Sequence, residues 1–297
     1  MNRFSRPLFL FIRFILPLVG MVQYALAQQP SDCNYVPGAG HFDLCVSIVP
    51  PNTSGARMVL DTTGFFKNEA GTGKVIVEAE FGDIGSSGGE FETDNPGWVV
   101  PAGDMEGGEF LWFRARGSLR FWDAAQQQWL DAPPNGERVR YIGSLRPDLA
   151  IVLIPTPEQA EAIAFYEAGT IWSADGLSGP LEAPIEPAAS VAAVGANGDA
   201  IHAHLDFCVE DSDGDCSMNN YGNPATGVYL IEFQLFSTAV SGLQQKYFDS
   251  PPILVALNRG LDRDAYNLAI DALTVLDIAI DDSAPLPAAG ILIMTGP

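Results

Sequence analysis

Short apolar runs separated by glycine and proline constrain the fold of this chain more than any other feature of its sequence. Its 30 glycines and 22 prolines are spread along the sequence, and β-branched and aromatic residues fill the runs between them. Runs of this kind, bounded by turn-forming residues, predict β-strands. The predicted strands are KVIVEAEF (74–81), EFLWFRA (109–115), SLRFW (118–122), RVRYIG (138–143), AIVLI (150–154), AIHAHLDFCV (200–209), GVYLIEFQLF (227–236) and ILVALN (253–258). Many short strands with intervening turns predict a mainly β, antiparallel β-sandwich-like domain.

Two stretches have the pattern of short helices that pack against the sheets. The first has Thr156 as N-cap, Pro157 at the first helical position and Gln159 at the capping-box position. The second begins at Asp262, a suitable N-cap residue. Its apolar residues recur at helical spacing: Ala265, Leu268, Ala269, Ala272 and Leu273.

The first 27 residues have the layout of a secretory signal peptide. Arg3 and Arg6 precede a long apolar stretch, and Ala25 and Ala27 form an A-x-A cleavage site. An uncleaved N-terminal anchor is the alternative interpretation. We therefore expect an exported protein, at the cell surface, in the periplasm or outside the cell, with one domain over residues 28–280. Within it, the Pro-, Ala- and Gly-rich residues 177–199 are predicted to form a long surface connection.

The charge balance excludes some partners. The chain has 37 acidic and 15 basic residues, which gives a net charge of −22. Such a surface repels nucleic acid and anionic lipid and attracts cations. We therefore expect no nucleic-acid binding, and membrane contact only through the signal peptide and a C-terminal anchor segment.

Four cysteines in an exported chain predict disulfide bonds rather than thiolate metal ligands. Proximity in the sequence favours the pairs Cys33–Cys45 and Cys208–Cys216. Pairing of Cys45 with Cys208 becomes possible if their strands are neighbours. The sequence leaves this choice open.

Two of the three histidines begin similar stretches, HFDLCV at 41–46 and HLDFCV at 204–209, and the third, His202, lies two residues before the second stretch. Residues two apart share a face of a strand, and the apolar residues between them must face the core. The opposite faces then carry His41, Asp43 and Cys45 on one strand and His202, His204, Asp206 and Cys208 on the other.

These polar faces predict a metal site if the two strands meet. Three imidazoles are a frequent zinc ligand set, with a carboxylate or water in the fourth position. The candidate metal-site residues are His41, His202, His204, Asp43 and Asp206, and the two aspartates could also accept hydrogen bonds that fix the imidazole tautomers. The alternative is that these are ordinary solvent-facing residues of two half-exposed strands.

An acidic segment follows the second histidine stretch. Asp211, Asp213 and Asp215 occupy alternate positions, as at the start of a calcium-binding loop. An EF-hand counted from Asp211 requires Gly at its sixth and Glu at its twelfth position, where Cys216 and Gly222 stand. The sequence excludes an EF-hand and leaves two possibilities, a looser calcium turn closed by a disulfide or a solvated turn.

The C-terminal segment APLPAAG (284–290) resembles the sorting tags of PEP-CTERM-type exported bacterial proteins, especially the V-P-L-P-A variety. Ala284 stands where Val is usual, and the apolar run that follows ends at Pro297 without a full membrane helix or basic tail. The resemblance implies that residues 281–297 are part of a sorting or anchor segment, and that export and C-terminal sorting machinery are partners. We expect this segment to be truncated.

Several internal motifs are similar to those of bacterial surface-anchored H-x-H repeat proteins, a group that includes zinc-repressor-controlled PEP-CTERM proteins. The likeness is diffuse and departs from the pattern at the insert EDSDGDCSMNNYGN (210–223). It implies an extracytoplasmic β-rich protein linked to zinc supply, with the histidines as candidate ligands. The motifs are GHFDL (40–44), DNPGW (94–98), LRFWDAAQQQWLDAPPNGERV (119–139), HAHLDF (202–207), PATGVYLIEFQLFS (224–237) and VALNRGLDRDAYNLAIDAL (255–273).

The sequence supports three functions in decreasing order. The first is an exported metal-binding protein without catalytic activity, with zinc as the expected ion. The second is a structural or adhesive matrix protein with incidental histidines, whose acidic loop takes calcium. The third is a zinc-dependent hydrolase, which is disfavoured because no glutamate stands where the base of an H-E-x-x-H motif would be.

Overall fold

The computed structural model describes residues 43–60, 75–82, 89–142, 145–189 and 199–275. The predicted signal peptide, Cys33, His41 and the C-terminal segment lie outside these ranges, so the expectations for them stay predictions. The described strands are β1 (Asp43–Val49), β2 (Ala56–Leu60), β3 (Val75–Glu80), β4 (Glu92–Thr93), β5 (Gly97–Pro101), β6 (Phe110–Asp123), β7 (Gln128–Leu130), β8 (Arg138–Ile142), β9 (Thr170–Ser173), β10 (Gly176–Ser178), β11 (Glu182–Pro187), β12 (Asp199–His204), β13 (Asp206–Glu210), β14 (Gly227–Ser237), β15 (Val240–Ser241), β16 (Gln244–Gln245), β17 (Tyr247–Phe248) and β18 (Ile253–Arg259). The helices are α1 (Pro147–Ala150), α2 (Pro157–Glu167) and α3 (Arg263–Val275).

The strands form three larger sheets and one small hairpin. The first sheet has the order β12-β5-β1-β2-β17, the second β10-β9-β8-β13-β4, and the third β11-β6-β14-β18-β3 with β7 paired to β6. Strands β15 and β16 form the hairpin. Most pairs are antiparallel, and the pairs β1–β5, β2–β17 and β3–β18 are parallel.

The first and second sheets pack against the inner face of the third. The Trp98 ring of the first sheet meets the Phe233 ring of the third edge-on, with centroids 5.5 Å apart. The Phe207 ring of the second sheet stacks on the same phenylalanine at 6.5 Å. Both predicted features, the mainly β content and the β-sandwich-like packing, are confirmed.

Both predicted helices are present with the predicted N-caps. The Thr156 side chain accepts from the Gln159 backbone N–H, and the Gln159 side chain accepts from the Thr156 backbone N–H, which completes a capping box. At the start of α3, the Asp262 carboxylate accepts from the Ala265 N–H at 2.9 Å. Helix α3 covers the outer face of the third sheet with a buried stripe, although the predicted Leu268 is 48% exposed. The stripe is Tyr266, Ala269, Ile270 and Leu273.

The Tyr266 hydroxyl joins α3 to the third sheet by hydrogen bonds. The side chain is fully buried, and its hydroxyl donates to the Ala256 carbonyl at 2.6 Å and accepts from the Ala79 N–H at 3.2 Å. Replacing Tyr266 with Phe leaves both backbone groups without this partner, so we expect the free energy of unfolding to fall by about 1–3 kcal/mol. Urea unfolding followed by tryptophan fluorescence measures the loss. A change below about 0.3 kcal/mol would contradict this role.

Two predictions from local composition are wrong. Residues 150–154 are not a strand, because Pro147 starts the short helix α1 and Pro155 removes the next backbone donor. Residues 177–199 are not simply a surface connection, because β11 lies within them and pairs with β6. Prolines are tolerated there because β11 is an edge strand.

The predicted strand 200–209 is also divided. It breaks at Leu205 into β12, which belongs to the first sheet, and β13, which belongs to the second. The opposite holds for the predicted strands 109–115 and 118–122, which are parts of the single strand β6.

No helix in the described part of the chain has the length and apolar character that crossing a bilayer requires.

Candidate metal centre

Three strands bring the candidate ligands together. Strand β5 lies between β1 and β12, so the two histidine-bearing stretches are not direct neighbours. Asp43 of β1 and His204 of β12 are both in register with Gly97 of β5. One row across the sheet therefore reads Asp43, Gly97, His204. In the next row on this face, His202 is in register with Val99.

Gly97 allows the side chains on either side of it to meet. A Cβ atom at this position would overlap the Asp43 carboxylate and the His204 ring. Because glycine has no Cβ, these two groups can lie above the middle strand. Glycine inside a strand indicates close approach by other groups. Residues 97–101 were not among the predicted strands, so Gly97 was missed as a site residue.

Asp43 is the centre of the group. Its Oδ1 lies 3.3 Å from Nε2 of His204, and its Oδ2 lies 3.4 Å from Nε2 of His202. One ligand atom from each of the three residues falls within 4.8 Å of the others. The exposed fraction of the side chains rises from 6% for Asp43 to 22% for His204 and 37% for His202. The group is thus anchored inside and opens to solvent at His202.

The orientation of His204 is set by its second nitrogen. Nδ1 lies 2.9 Å from the backbone carbonyl oxygen of Asp94, which can only accept a hydrogen bond. Nδ1 therefore carries a proton. In the neutral imidazole, Nε2 then presents a lone pair to the Asp43 carboxylate. The Nε2 lone pair and the carboxylate oxygen are both acceptors, so they repel each other at 3.3 Å. Either a second proton on the ring or a cation between the two atoms would make this approach favourable.

Further carboxylates surround the group. Burial raises the pKa of Asp206, the charges of Asp94 and Glu92 raise it further, and His204 lowers it. Burial also raises the pKa of Glu186, against a hydrogen bond from the His202 backbone. The concentration of negative charge favours a cation at the centre.

The predicted site residues therefore have different positions. His202, His204 and Asp43 converge, whereas Asp206 begins β13 beyond the break at Leu205 and is not in the converging group. Asp43 and Asp206 correspond in the two similar stretches, yet they lie in different sheets. His41 lies outside the described residues.

Two of the three aspartates in the acidic segment, Asp211 and Asp215, use their carboxylates within the loop. Asp211 accepts from the N–H groups of Asp213 and Asn223, at 2.9 Å and 2.6 Å. Asp215 accepts from the N–H and the hydroxyl of Ser217. These hydrogen bonds hold the pKa values of Asp211 and Asp215 below their usual range. They explain the turn without an ion, and the calcium site stays a prediction.

The disulfide Cys208–Cys216 is present and closes this loop. Cys45 is also disulfide-bonded, so the alternative pair Cys45–Cys208 is wrong. Glu210 converges with the two sulfurs of the closed loop. Its carboxylate is fully buried and pairs with Arg140 at 2.9 Å and Arg138 at 3.0 Å.

This second group is therefore a structural cluster, because its sulfurs are joined and its carboxylate is neutralised by two guanidinium groups. It differs from the group at Asp43, whose histidines each present a ring nitrogen to one carboxylate.

Comparison with known proteins adds no further assignment. No family model, no curated protein and no solved structure matches this chain.

Proposed function

We propose that this chain is an exported protein that binds a divalent metal ion, most simply zinc, without catalysing a reaction. The observation that carries the proposal is the approach of His204 Nε2 to Asp43 Oδ1 at 3.3 Å while Nδ1 donates to a backbone carbonyl. That pattern, one ring nitrogen fixed by a carbonyl and the other aimed at the centre, is the usual environment of a metal-binding histidine. Two imidazoles and one carboxylate are a donor set that zinc accepts.

Other features support export and a cation ligand. The disulfide between Cys208 and Cys216 is typical of proteins that fold in an oxidising compartment. The net charge of −22 attracts cations. His41, two residues before Asp43, is proposed as a further ligand because a continued strand would place it on the same face.

Zinc binding is tested on protein purified without a histidine tag. After dialysis against zinc and then against metal-free buffer, mass spectrometry should find about one zinc ion per chain. The double variant His202→Ala/His204→Ala and the single variant Asp43→Asn should each weaken binding by about 100-fold or more, since each removes direct ligands. The His41→Ala variant reports separately on the proposed further ligand.

The matched control is Asp213→Asn, which removes a carboxylate from the acidic loop and leaves the Asp43 group intact. It should keep its zinc, and calcium in excess should not displace the ion because imidazole nitrogen is a poor ligand for calcium. Absence of zinc from the wild-type protein, or equal loss in the control, would sink the proposal.

A further inference from the structure

The segment between α1 and α2 exposes three large aliphatic side chains within four residues. Ile151, Leu153 and Ile154 have 81%, 96% and 89% of their surfaces exposed. We call residues 151–154 the apolar tip. Monomeric proteins bury such clusters unless they have a partner, so the tip is a candidate contact surface.

The structure holds the tip by its two flanking helices. Before it, Arg146 pairs with Asp148 at 2.9 Å and lies over the Tyr166 ring at 5.9 Å. After it, the capping box of Thr156 and Gln159 fixes the start of α2. A loop that is ordered at both ends loses little conformational entropy when it is buried.

The charge around the tip indicates what kind of surface it fits. The nine residues between Asp148 and Glu158 carry no charge, in a chain with 37 acidic residues. An uncharged tip has no side chain that could form an ion pair with a charged partner. The net charge of −22 repels anionic surfaces. A cationic partner would be drawn to the acidic residues elsewhere on the protein, so an electrically neutral surface is the one that fits the uncharged tip.

The form of the tip favours lipid over a protein partner. Leu153 and Ile154 are neighbours and both are almost fully exposed, so the tip is apolar on more than one side. A protein partner would need a pocket of matching shape to cover it. The boundary between headgroups and acyl chains accepts an apolar projection without such a pocket.

From the sequence, membrane contact is expected only at the two termini; we propose that the apolar tip is a further contact, which inserts into the interfacial region of a zwitterionic lipid surface. Burial of Ile151, Leu153 and Ile154 among acyl chains supplies the attraction. The helical bodies of α1 and α2 stay at the headgroup level. Binding is weak and reversible, as for a single lipid chain. This contact does not involve the metal group.

The test compares three full-length proteins with identical termini, so that any terminal apolar segment contributes equally to each. They are the wild type, Leu153→Asp/Ile154→Asp, and the control Val240→Asp/Leu243→Asp in the β15–β16 hairpin. The control side chains are 68% and 104% exposed and so match the tip in exposure. Flotation with phosphatidylcholine vesicles at lipid concentrations on the order of millimolar measures the partition coefficient.

The tip variant should bind at least about tenfold more weakly than the wild type, and the hairpin control should bind like the wild type. Vesicles with added anionic lipid should bind all three less well. In a Leu153→Trp variant, quenching by brominated lipid should report insertion of the tip itself. No binding by the wild type, equal binding by the tip variant, or an oligomer that the tip substitutions disperse in the absence of lipid would overturn the proposal.

Discussion

Substitution of Gly97 by alanine should strongly weaken zinc binding while most of the fold survives. The new Cβ would occupy the space in which the Asp43 carboxylate and the His204 ring meet, so the two groups must separate. We expect the zinc affinity to fall by about 100-fold or more, although no ligand atom is removed. Isothermal titration of the metal-free protein with zinc measures the change.

A second glycine separates this effect from a general loss of stability. Gly103 has a φ of 89° and nothing within 4 Å of an added Cβ. Gly103→Ala should therefore cost about 1 kcal/mol through backbone strain alone and leave zinc binding unchanged. If Gly97→Ala binds zinc as tightly as Gly103→Ala does, the row across the first sheet does not hold the ion.

Removal of the Glu210 carboxylate should have the largest effect on stability. This side chain is fully buried, pairs with Arg138 and Arg140, and accepts from the Cys216 N–H. Glu210→Ala leaves the mostly buried Arg140 without its main partner, which costs about 3–5 kcal/mol. That is a large share of the roughly 5–15 kcal/mol by which a domain is stable. Urea or thermal unfolding gives the value.

An exposed ion pair provides the comparison. Glu182 contacts Arg114 at 2.7 Å, but its side chain is 44% exposed. Glu182→Ala should therefore cost no more than about 1 kcal/mol. If Glu210→Ala and Glu182→Ala lower the free energy of unfolding by similar amounts, burial does not make the Glu210 ion pairs more important for stability than an exposed pair.

The sequence predicted those strands and helices whose own residues show the pattern of the element, without reference to distant segments. Strands such as β14 and β18 are apolar because the core covers them, and the capping box at the start of α2 lies within four consecutive residues. Residues 150–154 show the limit of this reasoning, because the same composition occurs in an exposed loop. Local composition does not show which apolar runs find a partner strand.

The candidate site was predicted only in part, for a similar reason. The alternation in the histidine stretch indicated that His202 and His204 share a face, and the structure places both beside Asp43. The intervening strand and the register of Gly97 depend on pairing between distant segments, which one sequence does not show. Likewise, the break at Leu205 that moves Asp206 to another sheet follows from the packing of whole sheets.

The distance along the chain between the ligands has a consequence for when an ion can bind. Asp43 and His204 are 161 positions apart, and they meet only after β5 has paired with both of their strands. The loop-closure entropy of bringing such segments together must be overcome by folding before the ion contributes anything. A chain that crosses a membrane unfolded would therefore carry no metal with it. The ion it acquires would be set by the supply in the compartment where it folds, and would then act as a removable cross-link between β1 and the edge strand β12.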